Sequence, residues 1–149
     1  MLGELTAEQT ESLLRHQHVG RIGCHDGDTI FVVPITYAYD GAAIYGRSKE
    51  GLKITMMRKN PLVCFEVDVV ADAKHWQSVV LWGAYEELTT ESDRQRAMRL
   101  LADQSPPVAV EVVMPMMRQP EPHPAGALYK PVLFRINITR KTGRYERGQ

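Results

Sequence analysis

The chain has 149 residues, of which 44% are hydrophobic, and its 18 lysine and arginine residues balance 18 aspartate and glutamate residues. This length predicts one domain, residues 1–149, with a sizeable hydrophobic core. The apolar content excludes a disordered chain. A formal net charge of zero predicts no general attraction to nucleic acid or to a membrane surface.

Neither export nor membrane insertion is predicted. The first residues, Met1-Leu2-Gly3-Glu4, lack the basic and apolar regions of a signal peptide. No apolar run approaches the roughly 20 residues that a membrane-spanning helix needs. Cys24 and Cys64 lie in predicted strands and match no metal or redox spacing. We therefore interpret them as reduced core residues of a cytoplasmic protein.

The N-terminal part predicts one helix followed by an antiparallel meander. Thr6 and Gln9 have the spacing of a capping box, which predicts a helix running to about Gln17 that buries Leu13 and Leu14. The turn signals Asp26-Gly27-Asp28 and Asp40-Gly41 separate three segments predicted as strands, 19–25, 29–39 and 42–46. Successive tight turns favour antiparallel pairing over a parallel βαβ sheet.

Pro34 interrupts the longest of these predicted strands. Proline removes a hydrogen-bond donor from a sheet, so it is found at edges and bulges, or at the rim of a ligand site. The residues alone leave these alternatives open.

The segment from Ile44 to Asp68 has the most informative pattern. A strand is followed by the turn 46–51, a short helix to Lys59, and Asn60-Pro61, which ends the helix. Pro61 to Val67 then alternates as a second strand, with Val63, Phe65 and Val67 on one face. Basic and hydroxyl side chains are concentrated where the helix begins: Arg47, Ser48, Lys49 and Lys53. Free N–H groups and the helix dipole favour an anion there, with Ser48 as the expected N-cap. The cluster predicts either a phosphate site or a solvated basic turn.

The C-terminal half predicts one long strand, a helix, a loop and a last strand. The first strand covers 75–88, with Gly83 predicting a bulge or bend. Thr90 caps a helix to about Ala102, whose apolar side is Ala97, Met98, Leu100 and Leu101. The methionine- and proline-rich loop from Gln104 to Pro131 is interpreted either as a cover for a ligand or partner, or as mobile surface. The last strand alternates over 132–138 and ends near Thr142-Gly143-Arg144.

The order of these motifs resembles one known family. The G-R-S-x-x-G-x-K turn, the K-N-P-L-V-C-F-E-V strand and W-x-S-V-x-x-x-G at 76–83 resemble the pyridoxamine 5'-phosphate oxidase-like FMN-binding split-barrel family, in its nitroimidazole-resistance-related branch. The resemblance covers 19–88 and 134–144. It implies a mainly β fold, a six-stranded antiparallel Greek-key split barrel with flanking helices. It also implies a homodimer with two FMN sites across the interface.

The resemblance further implies which residues bind the cofactor. In the family, the residues at the places of Lys53 and Ser78 bind the FMN phosphate, and the strand at the place of Pro34 follows the edge of the isoalloxazine ring. The expected cofactor-binding residues are Pro34, Ile35, Thr36, Tyr37, Gly46, Arg47, Ser48, Lys53, Trp76 and Ser78.

The implied function is that of an FMN-dependent oxidoreductase. A flavin would transfer hydride to or from an unidentified small substrate, with NADH or NADPH as a candidate electron donor. The sequence contains no nucleophile elbow, phosphate-binding loop, dinucleotide fingerprint or zinc spacing that would favour another chemistry. Two alternatives stay open: a flavin-binding module without turnover, and the same fold with FAD, a deazaflavin or haem as its ligand.

Two departures from the family narrow the expected reaction. Vitamin B6 oxidases are longer and carry a C-terminal Arg/His substrate clamp that this sequence lacks, so oxidation of vitamin B6 is not expected. Nitroimidazole-resistance relatives carry a histidine where this chain has Gly46-Arg47. Nitroreduction through such a histidine is therefore not expected either.

Overall fold

The structure, a computed structural model, describes residues 1–105 and 130–148. Within these ranges the elements are, in chain order, β1 (Leu2–Glu4), α1 (Ala7–His16), β2 (Val19–Asp26), β3 (Thr29–Tyr39), β4 (Ala43–Ser48), α2 (Leu52–Lys59), β5 (Leu62–Asp72), β6 (His75–Glu87), α3 (Glu91–Gln104) and β7 (Val132–Arg147). None of these helices has the length and hydropathy needed to cross a lipid bilayer.

The strands form one antiparallel sheet that closes on itself. Its order is β1-β7-β4-β3-β2-β5-β6, and pairing of β7 with β6 completes the barrel. The predicted mainly β split barrel with flanking helices is confirmed. The sheet has seven strands where six were predicted, because the short β1 pairs with the end of β7. β7 itself continues to Arg147, slightly past the predicted end near Thr142-Gly143-Arg144.

A bulge lies at Gly83, as predicted, but its extra residue is Thr139 of the partner strand β7. The register between β6 and β7 shifts between Trp82 and Gly83. A β-carbon at Gly83 would lie 2.3 Å from the backbone oxygen of Asn137, so the two strands approach too closely for any side chain there. The extra residue lets the long β7 bend while it remains paired with β6.

Alternating side chains of the strands fill the barrel. Val63, Phe65 and Val67 of β5 are buried, as their spacing predicted. Cys24 is also buried, but Cys64 is only half-buried, because alternation along β5 directs it away from Phe65 to the outer face. The prediction that both cysteines lie in the core is therefore wrong for Cys64. Burial, followed by the nearby Cys64, raises the pKa of the Cys24 thiol.

Helix α1 packs on the barrel through its predicted apolar side. The capping box is present, with Gln9 N donating to Thr6 Oγ1 at 3.1 Å and Thr6 N donating to Gln9 Oε1 at 2.9 Å. Leu13 and Leu14 are buried. The hydroxyl of Tyr37 on β3 donates to the backbone oxygen of Leu14 at 2.7 Å, which fixes the end of α1 against the sheet.

Glu11 connects α1 to two strands. Its carboxylate accepts hydrogen bonds from the hydroxyl of Tyr39 at 2.8 Å and from Nζ of Lys141. Burial by itself would raise the pKa of Glu11. The hydrogen bonds from Lys141 and Tyr39, together with the positive charge of Lys141, outweigh burial and hold this pKa below its ordinary value.

Glu11→Gln is expected to lower the free energy of unfolding in a pH-dependent way. Because the folded-state pKa of Glu11 is depressed, its ionised form stabilises the fold above the unfolded-state pKa, and this contribution disappears as the pH falls through the folded-state pKa. Urea unfolding should separate the wild type from Glu11→Gln at neutral pH, and the two should converge below about pH 4. A difference that does not change with pH would contradict this role.

Candidate functional site

A cavity of about 710 Å³ lies between β3, the start of α2 and the C-terminal half of α3. This volume falls within the roughly 300–1,000 Å³ of typical small-molecule sites. Its lining residues are Pro34, Ile35, Thr36, Arg47, Ser48, Lys49, Glu50, Gly51, Lys53, Met98, Leu101, Ala102 and Ser105. We call it the α2 cavity.

The α2 cavity occupies a gap in the barrel. β3 pairs with β4 only from Tyr37 to Tyr39, where Tyr37 lies opposite Gly46. Beyond this point the two strands diverge, and Pro34 is paired with Arg21 of β2 on its other side. Pro34 therefore lies at a local sheet edge, which was one of the alternatives predicted for it. Backbone groups of β3 that face the gap have no strand partner among the described residues, so they are open to a ligand.

Helix α2 directs its N-terminus at the cavity, but its cap differs from the prediction. Gly51 is the N-cap, its backbone is extended, and no side chain of the described residues accepts a hydrogen bond from the first turn. The prediction of Ser48 as N-cap is wrong, because Ser48 still belongs to β4 and its Oγ donates to the backbone oxygen of Lys49 at 2.8 Å. Within residues 1–105 and 130–148, the N–H groups of the first turn therefore have no side-chain acceptor, and this favours an anion nearby.

The charged side chains of the cavity are mainly basic. Arg47, Lys49 and Lys53 line it, against the one carboxylate of Glu50 among the described lining residues. Within residues 1–105 and 130–148, the side chains of Arg47 and Lys53 form neither an ion pair nor a hydrogen bond. Two cations without carboxylate partners beside a helix N-terminus match the charge of a phosphate.

Helix α3 forms the apolar wall, which the sequence analysis did not predict. Met98, Leu101 and Ala102 line the cavity. Met98, which the pattern predicts on the buried side of α3, is 42% exposed, whereas Ala97 is buried. Gln104 holds the helix in place: its Nε2 donates to the backbone oxygen of Tyr39 at 3.0 Å, and its Oε1 accepts from Tyr39 N at 2.8 Å. The sequence feature that could have indicated this apolar wall is the position of Met98 at the border of the apolar stripe of α3.

Six of the predicted site residues meet at the cavity, and two others lie beneath it. The six are Pro34, Ile35, Thr36, Arg47, Ser48 and Lys53. The side chain of Tyr37 is buried in the core, with its ring edge-on to Phe65 at 5.1 Å. Gly46 is covered by Phe134, whose Cζ would lie 2.5 Å from a β-carbon at that position. Tyr37 and Gly46 therefore support the cavity from below instead of lining it.

Trp76 and Ser78 are not brought to the α2 cavity of the same chain. Both lie on β6, which β2 and β5 separate from β3. Ser78 Oγ donates to Glu66 Oε2 at 2.9 Å, and Trp76 Nε1 donates to Glu146 Oε2 at 3.0 Å. Their contact with a flavin stays a prediction that requires a second copy of the chain.

Two further expectations concern the loop and metals. The loop from Gln104 to Pro131, predicted to be either a cover or mobile surface, falls mostly on residues 106–129, which lie outside the described ranges. In the part of the chain that the structure describes, no group of three or more His, Cys, Asp or Glu residues is arranged to hold a metal ion.

Known structures share this fold over nearly the whole chain. An FAD-binding protein from Mesorhizobium loti is 29% identical, with a TM-score of 0.77 over 99% of this chain and 98% of its own. The FAD-binding protein from Mycobacterium smegmatis is 24% identical, with a TM-score of 0.69 over 98% and 100%. A candidate 5-nitroimidazole antibiotic resistance protein from Bacteroides thetaiotaomicron is 17% identical, with a TM-score of 0.73 over 97% and 87%. The last two show similarity of fold alone.

Sequence comparison identifies the family. An uncharacterized protein from Rhizobium meliloti (strain 1021) is 36% identical over 84 residues. That stretch covers 56% of this chain and 56% of the relative, so it spans little more than half of the relative's length. The sequence profile of the family described as pyridoxamine 5'-phosphate oxidase matches residues 6–145. This match covers most of the chain, including most of the barrel and the residues that line the α2 cavity. It shows that the chain belongs to the pyridoxamine 5'-phosphate oxidase-like family.

Proposed function

We propose that this chain binds FMN in the α2 cavity and is a flavin-dependent oxidoreductase acting on a small substrate. The observation that carries the proposal is the placement of Arg47 and Lys53, without carboxylate partners in the described residues, beside the uncapped N-terminus of α2. Three kinds of phosphate-binding group thus occur together: a guanidinium, an ammonium and free backbone N–H groups.

The remaining lining residues suit the other parts of a flavin. Unpaired backbone groups of β3 near Ile35 and Thr36 can bond the polar rim of a heterocycle. Met98 and Leu101 of α3 offer an apolar surface for a flat ring and exclude water from it. When bound, the flavin would supply hydride transfer between an electron donor and the substrate. The protein's part is to bind and orient the cofactor.

An absorbance spectrum of the purified protein, recorded with and without added FMN and after desalting, tests this proposal. Retained flavin bands would support it, and a colourless protein that does not take up FMN would overturn it. A Soret band would instead assign haem. Anaerobic addition of NADH or NADPH then tests turnover: if neither reduces the bound flavin and no acceptor reoxidises it specifically, the protein is a flavin-binding module without turnover.

FAD is the second candidate cofactor, because the similar Mesorhizobium loti protein is described as FAD-binding. Parallel titrations with FMN, FAD, riboflavin and a deazaflavin distinguish these ligands. We expect FMN to bind at least as tightly as FAD, since the phosphate-binding groups described above serve the phosphate that both share. Clearly tighter binding of FAD would assign FAD, and a preference for a deazaflavin would reassign the ligand altogether.

We further propose that the protein is a homodimer that buries the outer face of β2, β3 and β5. Ile30, Val32 and Leu62 are 78%, 62% and 71% exposed, and they border an apolar hollow of about 520 Å³. Val32 lies opposite Gly23, and Pro34 lies opposite Arg21, so this surface continues into the rim of the α2 cavity. A second copy on this face is the arrangement that would allow Trp76 and Ser78 to contact a flavin.

Val32→Glu combined with Leu62→Glu is expected to convert the dimer to monomers. Burying two carboxylates in an apolar interface would carry a large desolvation cost. Light scattering should give twice the chain mass for the wild type and one chain mass for the double variant. Leu2→Glu, at a leucine of β1 that is also exposed, should remain dimeric. A wild type that scatters as a single chain at micromolar concentration would contradict the dimer.

A further inference from the structure

Glu50 is an unfavourable residue to find in a phosphate site. It lines the α2 cavity and directly precedes Gly51, the N-cap of α2. A carboxylate there would repel an anionic ligand and would compete for Arg47 and Lys53. Its side chain is 61% exposed, so burial does not hold it in one position. Hydrogen bonds from Arg58 hold it in position instead.

Arg58 holds Glu50 through a two-bond contact. Arg58 Nη1 donates to Glu50 Oε2 at 2.9 Å, and Nη2 donates to Glu50 Oε1 at 2.7 Å. This parallel pairing of a guanidinium with a carboxylate is the strongest and most directional form of side-chain ion pair. Arg58 lies in the last turn of α2, and Glu50 just before its first turn, so the pair spans the length of the helix.

A second carboxylate fixes Arg58 from the barrel side. Arg58 Nε donates to Glu87 Oε1 at 2.8 Å, and Nη2 donates to Glu87 Oε2 at 3.2 Å. The hydroxyl of Tyr85 donates to Glu87 Oε1 at 2.7 Å. The hydrogen bond from Arg58 lowers the pKa of Glu87, and burial followed by the bond to Glu87 raises the pKa of Tyr85. The network therefore joins Glu50 to β6.

We infer that Arg58 is a positioning residue for the anion site: it holds the Glu50 carboxylate in an ion pair, so that Arg47 and Lys53 remain available to the phosphate. Arg58 does not itself line the α2 cavity, so it acts through Glu50. This inference rests on the proposed binding of a flavin phosphate. In the proposed arrangement the isoalloxazine ring contacts neither Glu50 nor Arg58. Loss of the pair should therefore weaken binding of the phosphate and leave binding of the ring unchanged, whereas a general effect on the fold would weaken both.

Titration of four proteins with FMN and with riboflavin, which lacks the phosphate, tests the inference. Arg58→Ala should bind FMN about threefold to tenfold more weakly at low salt and riboflavin with nearly unchanged affinity. Arg58→Ala with Glu50→Gln should regain FMN affinity to within about twofold of the wild type, because the released carboxylate is gone. Lys59→Ala is the matched control: Lys59 is the next residue of α2 and pairs with Asp26 at 3.3 Å, outside the cavity.

The outcomes separate this inference from the proposed function. If the wild type binds neither flavin, the proposed function fails and the inference with it. If the wild type binds FMN but Arg58→Ala binds it equally well, only the inference is overturned. It is also overturned if the second substitution does not restore FMN binding, or if riboflavin binding falls in parallel. Arg58→Gln replaces the alanine variant if that variant does not fold, and about 0.5 M salt should reduce the difference.

Discussion

Replacing Arg47 and Lys53 together by alanine is expected to weaken FMN binding by at least about 100-fold, with little change in riboflavin binding. A charge-assisted hydrogen bond contributes about 1.5–3 kcal/mol, equivalent to roughly 10-fold to 150-fold in affinity for each cation. The two contributions need not be additive, because both side chains would bind the same phosphate. Fluorescence titration at low salt measures both ligands under the same conditions.

Control variants show whether FMN binding depends on where a positive charge lies or only on the net charge of the protein. Lys59→Ala removes one lysine charge from the same helix outside the cavity, so FMN affinity should remain within about twofold of the wild type. Ser78→Ala, tested separately, measures whether a second copy contributes to phosphate binding. If FMN affinity in the Arg47→Ala, Lys53→Ala protein equals that of the wild type, the phosphate is not bound at the start of α2.

Phe134→Ala is expected to lower the free energy of unfolding by about 3–5 kcal/mol. Phe134 is fully buried, and its ring packs against Tyr85 with 5.4 Å between centroids. It lies in β7 opposite both Gly46 of β4 and Glu87 of β6. Its removal therefore leaves a cavity at the junction of three strands, and the absence of a side chain at Gly46 leaves that space with nothing to fill it.

Urea denaturation monitored by circular dichroism measures this loss of stability. Phe31→Ala is the matched control, because Phe31 is only partly buried and packs against the outside of the same core. Phe31→Ala should lower the free energy of unfolding by clearly less than Phe134→Ala does. A cost below about 1 kcal/mol for Phe134→Ala would mean that the barrel relaxes to fill the space, and it would contradict a rigid support beneath β4.

Local signals in the sequence predicted most of the elements because their causes are local. The bonds of the capping box at Thr6 join residues three positions apart, and Gly27 and Gly41 take the positive φ values of 58° and 96° that their turns require. Alternation correctly assigned Val63, Phe65 and Val67 to the barrel interior. The same alternation directs Cys64 outward, which the general tendency of cysteine to be buried did not take into account.

The errors occurred where two segments distant in sequence had to be placed against each other. A hydroxyl before a helix is a common N-cap, but pairing with β7 extends β4 to Ser48 and moves the cap to Gly51. Met98 belongs to an amphipathic helix, yet the bonds between Gln104 and Tyr39 place that helix beside the gap in the barrel. Glu50 and Arg58 showed no sign of their pairing in the local pattern.

The sequence by itself determined the family, the barrel, and the group of Arg47, Ser48 and Lys53, because these depend on periodicity, turn residues and a compact motif. The tertiary structure decided which of the predicted residues share one cavity. Strand order separates β6 from β3, so Trp76 and Ser78 lie away from the α2 cavity of their own chain. Divergence of β3 from β4 opens the gap that α3 covers. Such placements depend on long-range packing, for which a single sequence carries no periodic signal.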